Sequence, residues 1–299
     1  MLLHAAQQVA GGQQYPKATL YLVPTPIGNL ADLSLRAVHV LSLMDLVACE
    51  DTRVSGGLLR LLGLDKRLLP LHEHNEAEAA QVVLRALQEG QRVAYVSDAG
   101  TPAVSDPGAR LVHLVQQAGG RVTPLPGPSS VTTALSAAGD VVAQGFHFMG
   151  FVPAKGAARE AALARLPLDG ASAVLFEAPH RVAALARDLA QRTPGARLTL
   201  ARELTKQFEE VVSLLAQDWP AWLAADAHRE KGEYVVVVHA RAPEALADEA
   251  LSPAAMAVLE ALAAHVPVKL AASLMADLTG LPRKVLYEHA LLTRRPPAD

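Results

Sequence analysis

RVAYVSDAGTPAVSDPGARLVHLVQQAGGRVTPL, residues 92–125, is the stretch that decides the fold. RVAYVS (92–97) is a short apolar run rich in β-branched and aromatic residues and reads as a buried strand. Pro107 to Ala118 has helical periodicity, with Asp106 as the expected N-cap and Pro107 at the first helical position. RVTPL (121–125) is a second strand. Strand, helix and strand in so short a span make a βαβ unit, which joins parallel strands of one sheet. The connecting loop, Ser97 to Gly108, holds two Gly, two Pro and two Asp. A plain turn needs far less.

The same alternation runs outward in both directions. Upstream lie TLYLVP (19–24), a helix from Ser34 to Met44 with Ser34 as N-cap, and LVACE (46–50). A helix through Leu58, Leu59 and Leu62 then stops at Gly63, RLLPL (67–71) follows, and Glu76 to Gln88 is a helix closed by Gly90. Downstream, PLPGPSS (124–130) breaks the pattern and places a hinge near 126–130, and Ser129 to Ala138 is a helix crossing to a second half. That half contains FHFMGF (146–151), a helix at 156–166, AVLFE (173–177), a helix at 179–191 and RLTLARE (197–203). FEEVVSLL (208–215) and EYVVVVHA (233–240) close it and are expected to pair antiparallel. After Pro243 the composition turns to Ala and Leu, with short helices at 253–264, 268–278 and 282–292. The Thr-Gly-Leu-Pro turn between the last two is similar to a helix-turn-helix. The expected organisation is an N-terminal tail (1–17), an N-terminal α/β domain (18–126), a C-terminal α/β domain (127–243) and a helical extension (244–299).

Composition limits the function classes. The 299 residues are 51% hydrophobic and 19% charged, which excludes a disordered chain and fits two domains. The net charge of −3 gives no general attraction to nucleic acid or membrane. With aromatics at 4%, the core is aliphatic, as two parallel-sheet halves buried on both faces would require. Cys49 is the sole cysteine and sits in an apolar strand, so no disulfide framework or cysteine metal site arises from one chain. MLLHAAQQVAGGQQ lacks the basic start of a secretory signal. The longest uncharged stretch, Val122 to Gly139, contains Pro124, Pro126 and Pro128 and does not suit a membrane span. A cytoplasmic protein is expected.

In open α/β sheets ligands bind outside the carboxyl ends of the strands, and three proline- and glycine-bearing loops follow strands here. They are Pro24-Thr25-Pro26-Ile27-Gly28-Asn29, the Ser97–Gly108 loop with Asp98, and Pro126-Gly127-Pro128-Ser129-Ser130. None is a dinucleotide fingerprint or a P-loop, and no serine elbow is present. Polar residues gather at other strand ends: Glu50-Asp51-Thr52-Arg53, His72-Glu73-His74-Asn75-Glu76, Lys155, Glu177, His180-Arg181, and Glu203, Thr205 and Lys206. The His/Glu run lacks a second ligand set at a known spacing, so no metal is expected.

LYLVPTPIGNLADLS, EDTR, LHEHNE, VSDAGTPAVSDPG, PLPGPSSVTTALSAAG, FEAPHR, ARELTK and KGEYVVVV occur in that order over about residues 18–240. Together they resemble the ribosomal RNA small-subunit methyltransferase I family of the tetrapyrrole methylase superfamily. The resemblance implies two α/β domains with S-adenosylmethionine in the cleft between them, usually in a homodimer. It implies methylation of the ribose 2′-oxygen of a decoding-centre cytidine in 16S rRNA, within the 30S subunit. The alternatives are a tetrapyrrole C-methyltransferase, from the same superfamily, and a non-enzymatic RNA-binding module.

Cofactor contacts carried over from the family are Pro26, Asp98, Gly100, Pro102, Ala103, Val104, Ser129, Ser130, Phe176, Leu204 and Gly232. In-line displacement needs an acceptor for the 2′-hydroxyl proton. The candidates are Glu177, Glu203, Asp51, water, and Lys206 if burial depresses its pKa. Arg53, Lys155, Arg181 and Lys206 are the expected phosphate contacts. GFVPAKGAARE is poorer in Lys and Arg than the family pattern, which weakens the expected grip on RNA there.

Overall fold

The computed structural model describes residues 1–72, 74–104, 107–166, 169–241 and 253–293. Its first half is a parallel sheet of β1 (Thr19–Leu22), β2 (Leu46–Cys49), β3 (Arg67–Pro70), β4 (Arg92–Val96) and β5 (Arg121–Pro124). The order β3-β2-β4-β1-β5 puts β1 between β4 and β5. Alternate β1 residues enter opposite cores. Tyr21 packs with Val40, Val47 and Leu59 on one face, and Leu20 with Val83, Tyr95 and Leu111 on the other.

Helices cover both faces: α1 (Leu2–Ala10), α2 (Leu35–Leu43), α3 (Thr52–Leu61), α4 (Glu76–Gln88) and α5 (Ala109–Gln117). Ser34 caps α2 by accepting from the Ala37 amide. Residues 1–17 contain α1, which buries Ala6 and Ala10 against the domain, and Tyr15, whose hydroxyl donates to the Ala10 carbonyl.

The start of α5 differs from expectation. The helix begins at Ala109 with Gly108 as N-cap at φ 116°, so Pro107 stands outside it, and Asp106 lies outside the described residues. Gly108 is required there, because a Cβ would sit 2.1 Å from the Tyr95 ring. The cap is supplied from another helix. Glu76 Oε1, in the first turn of α4, accepts from the amides of Gly108, Arg110 and Leu111 at 3.0, 3.1 and 3.2 Å.

The chain then enters α6 (Ser130–Ala138), which packs under the second sheet through Val131, Ala134 and Ala138. That sheet comprises β6 (Gly145–Phe151), β7 (Ala171–Glu177), β8 (Arg197–Arg202), β9 (Glu210–Leu215) and β10 (Tyr234–Val238) in the order β6-β7-β10-β8-β9. Only β6 and β7 are parallel, so the second half is a mixed sheet and not a second parallel one. Nor do the last two strands pair with each other, since β8 lies between them and is antiparallel to both. Side-chain character explains the order. YVVVV is buried at every position and takes the centre, whereas EVVSLL alternates in exposure and suits an edge.

Three more helices, α7 (Gly156–Ala164), α8 (Pro179–Arg192) and α9 (Trp219–Ala224), accompany this sheet. The extension consists of α10 (Pro253–His265), α11 (Val268–Thr279) and α12 (Arg283–Thr293) around its own core of Leu259, Val268, Ala271, Met275, Leu286 and Ala290. Gly280 at φ 72° makes the turn between α11 and α12.

Candidate functional site

A cavity of about 280 Å³ opens between the two sheets. Its first-half wall is built by the loops after β1, β4 and β5, three adjacent strands. They contribute Ile27, then Ala99, Gly100, Thr101 and Val104, then Ser129. All three loops are locked together. Thr25 and Gly100 exchange backbone hydrogen bonds at 2.9 Å, and Thr101 Oγ1 donates to the Pro128 carbonyl at 3.0 Å. Gly100 holds φ 80°, where a side chain would be strained.

The opposite wall comes from the second sheet: Phe151 of β6, Phe176 and Glu177 of β7, Ala201, Glu203, Leu204 and Lys206 at the end of β8, and Glu233 to Val235 at the start of β10. The Phe148 and Phe151 rings lie 4.9 and 5.5 Å from Phe176 in edge-to-face contact. Two helix starts meet at the cavity, at Ser129 and Ser130 for α6 and at Ala178 and Pro179 for α8. The α6 start has no side-chain cap and offers backbone N–H groups to an anion. At α8 the Ala178 amide already donates to Glu177 Oε1 at 3.0 Å, and Pro179 has no N–H.

These features fit S-adenosylmethionine. The uncapped start of α6 suits its carboxylate, the phenylalanine wall its adenine, and the rim carboxylates its ammonium and ribose hydroxyls.

The ionisable groups behave less uniformly than expected. Lys206 Nζ lies 2.8 Å from Glu203 Oε1 and 3.0 Å from Glu233 Oε2. Desolvation pushes its pKa down, but the hydrogen bonds to the two carboxylates outweigh this and leave it raised. The condition on which Lys206 is a candidate base, a pKa depressed by burial, is therefore not met, and the ammonium is a poor base. Desolvation works to raise the pKa of Glu203, while hydrogen bonds from Lys206 and from the Glu233 amide at 2.9 Å bring it below the usual carboxylate value. Asp51 is the N-cap of α3 and pairs with Arg53 at 2.5 Å; the Arg53 side-chain and backbone hydrogen bonds bring its carboxyl to about 2. Asp51 is thus a poor base, and Arg53, though exposed, already faces a carboxylate.

Glu177 shows the opposite shift, upward, mainly from burial. Its side chain has no solvent exposure, however, and its Oε1 is already paired with Arg181 at 3.0 Å. Arg181 is also corrected. Its Nε lies 3.0 Å from Glu177 Oε1 and a terminal nitrogen donates to the Val152 carbonyl, so it points inward instead of toward phosphate. Lys155 is exposed at the N-cap of α7, outside the cavity lining.

Of the expected cofactor residues, Gly100, Val104, Ser129, Ser130, Phe176 and Leu204 line the cavity. Pro26, Asp98, Pro102, Ala103 and Gly232 do not, but several of them shape its walls. Asp98 Oδ1 accepts from the Asp51 amide at 3.1 Å and ties the loops after β4 and β2 together. Ala103 adopts φ 65°. Gly232, at φ 85°, lies against Glu203.

Ile27, Thr101, Phe151 and Glu233 to Val235 were missed. β10 runs antiparallel to β7 and β8, so its amino end meets their carboxyl ends, and attention to strand carboxyl ends alone passes over it. Among the described residues no group of three or more His, Cys, Asp or Glu could hold a metal; Glu73 lies outside them. No helix among them is long and apolar enough to cross a membrane.

Residues 19–219 match the family described as Tetrapyrrole (Corrin/Porphyrin) Methylases, and residues 249–295 match the RsmI C-terminal HTH domain. The chain is 43% identical over 290 residues to Ribosomal RNA small subunit methyltransferase I of Neisseria meningitidis serogroup A, covering 97% of each chain. It is also 43% identical to the protein of that name from Escherichia coli O157:H7, over 91% of this chain and 94% of the relative. A solved uroporphyrin-III-C-methyltransferase from Thermus thermophilus shares the fold, with TM-score 0.54, 23% identity and coverage of 75% and 94%. A second structure of that enzyme, complexed with S-adenosyl homocysteine, aligns with TM-score 0.51 at 19% identity, covering 74% and 97%.

Proposed function

The chain belongs to the ribosomal RNA small subunit methyltransferase I family, within the tetrapyrrole methylases, and on that premise we propose its target: the ribose 2′-oxygen of a cytidine in the decoding centre of 16S rRNA. It is an S-adenosylmethionine-dependent rRNA methyltransferase. The observation that carries this reading is identity running through both domains and the helical extension, over 97% of each chain. Solved tetrapyrrole methylases share the fold over about three quarters of the chain and no more than the fold.

When bound, S-adenosylmethionine supplies an activated methyl group on a sulfonium. The residues of this chain supply position. The loops after β1, β4 and β5 and the start of α6 hold the polar end, and Phe151, Phe176 and Leu204 provide the apolar wall. Effective molarity of this kind is worth up to about 7–11 kcal/mol when the reacting atoms are well aligned. Because Asp51, Glu203, Lys206 and Glu177 are each unsuited as bases by pairing or burial, we infer that water accepts the 2′-hydroxyl proton. The 30S subunit as substrate, a homodimer and a cytoplasmic setting complete the proposal. Exposed Phe208, Val211 and Leu215 on and beside edge strand β9 support a second copy.

The test is to incubate the protein with 30S subunits lacking the modification and labelled S-adenosylmethionine, then map the methyl group by mass spectrometry. A 2′-O-methylcytidine in the decoding centre is expected. A base-methylated product, or transfer to a porphyrinogen alone, overturns the reading.

A further inference from the structure

A buried charge network lies behind the aromatic wall. Glu177 ends β7 with a fully buried side chain, and two guanidiniums converge on its carboxylate. Arg181 Nε is 3.0 Å from Oε1, and Arg159 Nη1 is 3.9 Å from Oε2. Arg159, on α7, is 8% exposed and is held from its far side by Asp188 of α8, at 2.7 Å from Nε and 2.6 Å from Nη2. Each arginine also donates to one of two successive carbonyls. Arg181 donates to Val152, and Arg159 to Pro153 at 3.1 Å.

Those carbonyls follow Phe151, which is part of the cavity wall. Pro153 has no amide hydrogen, so its main chain is tied only through its carbonyl. Beyond it, Ala154, Lys155 and Gly156 are exposed, and Gly156 turns the chain into α7 at φ 75°. The two guanidiniums therefore fix the one buried point from which the exposed loop departs.

Burying Glu177 and Arg159, with Arg181 and Asp188 half-buried beside them, is a poor route to stability, because apolar replacements of buried pairs are often neutral or better. A fixed geometry is the better account of it. We infer that Arg159 and Arg181, gripped by Glu177, form a clamp that positions Phe151 and the Val152–Gly156 loop as the closing wall of the cofactor cleft. These are positioning residues, since none touches the reacting atoms. The inference rests on the reading that the cleft binds S-adenosylmethionine.

A double-mutant cycle on the full chain tests it, with S-adenosylhomocysteine as the calorimetric probe. R159Q and F151A are each expected to weaken binding about 10-fold, which corresponds to about 1.4 kcal/mol. The double variant should bind no worse than F151A alone, because Arg159 acts through Phe151. A purely structural arginine would give additive losses. The second readout needs no ligand: trypsin should cut after Lys155 at least about 10-fold faster in R159Q, with cleavage within α8 unchanged. If R159Q does not fold, D188N loosens the same guanidinium and takes its place. Additive losses, or unchanged cleavage after Lys155, overturn the clamp. A wild-type protein that does not bind the probe overturns the cofactor reading instead, and the cleavage data still judge the clamp.

Discussion

Gly232→Ala is expected to damage both stability and the cleft, and the two effects are separable. Gly232 has φ 85°, where a side chain costs about 1–2 kcal/mol. A Cβ there would also lie 2.4, 2.7 and 2.8 Å from Glu203 Cγ, Cδ and Oε1. Glu203 cannot swing aside freely, because its Oε1 receives Lys206 Nζ at 2.8 Å and the Glu233 amide at 2.9 Å. Overpacking of this kind costs about 1–3 kcal/mol more. Gly90 is the control, with φ 79° and nothing within 4 Å of the added Cβ. Gly90→Ala should lose only the backbone share, about 1–2 kcal/mol, and Gly232→Ala about 2–5 kcal/mol in total. Denaturant titration measures the stabilities, and calorimetry with S-adenosylhomocysteine measures the cleft. Leu204 follows Glu203 into the cavity wall, so Gly232→Ala should weaken binding while Gly90→Ala binds as wild type. In a Glu203→Ala background the clash partner is gone and the two alanines should cost the same. Equal losses in the wild-type background, with binding unchanged, would refute the reasoning.

The Glu203–Lys206 pair sets a pH window. The lowered Glu203 contributes stability that is present above its usual value near 4.5 and is lost as pH falls through the lowered value. The raised Lys206 contributes stability that is present below its usual value near 10.5 and is lost as pH rises through the raised one. Turnover should therefore show no side-chain limb between about pH 6 and 9; a limb there that disappears in Glu203→Gln would contradict water as the acceptor. Glu76→Ala strips three amides at the start of α5 of their acceptor and should cost about 0.5–2 kcal/mol, read by denaturant titration. Burial pushes the Cys49 thiol up, so a thiol reagent at pH 8 should leave it intact until the protein unfolds, and rapid native labelling would contradict that. Each phosphate contact contributes about 0.7–0.9 to the log–log salt slope of RNA binding. Lys155→Ala should reduce the slope by that amount.

The first half was legible because each of its strands is a short apolar run bounded by a glycine, proline or capping residue. Helices from Glu76 to Gln88 and from Ser34 onward follow directly from those signals. The second sheet was less legible, because apolar runs identify strands without fixing their partners. FEEVVSLL and EYVVVVHA are adjacent along the chain, yet burial across both faces draws YVVVV to the centre and leaves EVVSLL at the edge. The site followed the same division. The loops at parallel strand ends that the sequence singles out do line the cavity, whereas the β10 contribution depended on strand direction. Ionisation was the least visible, since whether Lys206 rises or falls depends on Glu203 and Glu233, and Glu233 reaches it from another strand.

Those pairings also change what the net charge of −3 means for RNA. Three of the four cations expected to meet phosphate already face carboxylates: Arg53 with Asp51, Arg181 with Glu177, and Lys206 with Glu203 and Glu233. Lys155 is the exception among them, exposed on the loop that follows Phe151. The extension offers no compensating field, with five basic against six acidic residues over 245–299. Non-specific RNA binding scales with the number of phosphates neutralised, so this chain should hold unstructured RNA weakly. A target presented on a folded surface needs fewer charges, because shape complementarity and several small contacts can share the work. The pairing of three of these four cations therefore argues for a structured ribosomal substrate more strongly than for naked rRNA. It also makes the position of the Lys155 loop, and hence the arginine clamp beneath it, matter more than any other charged segment of the rim.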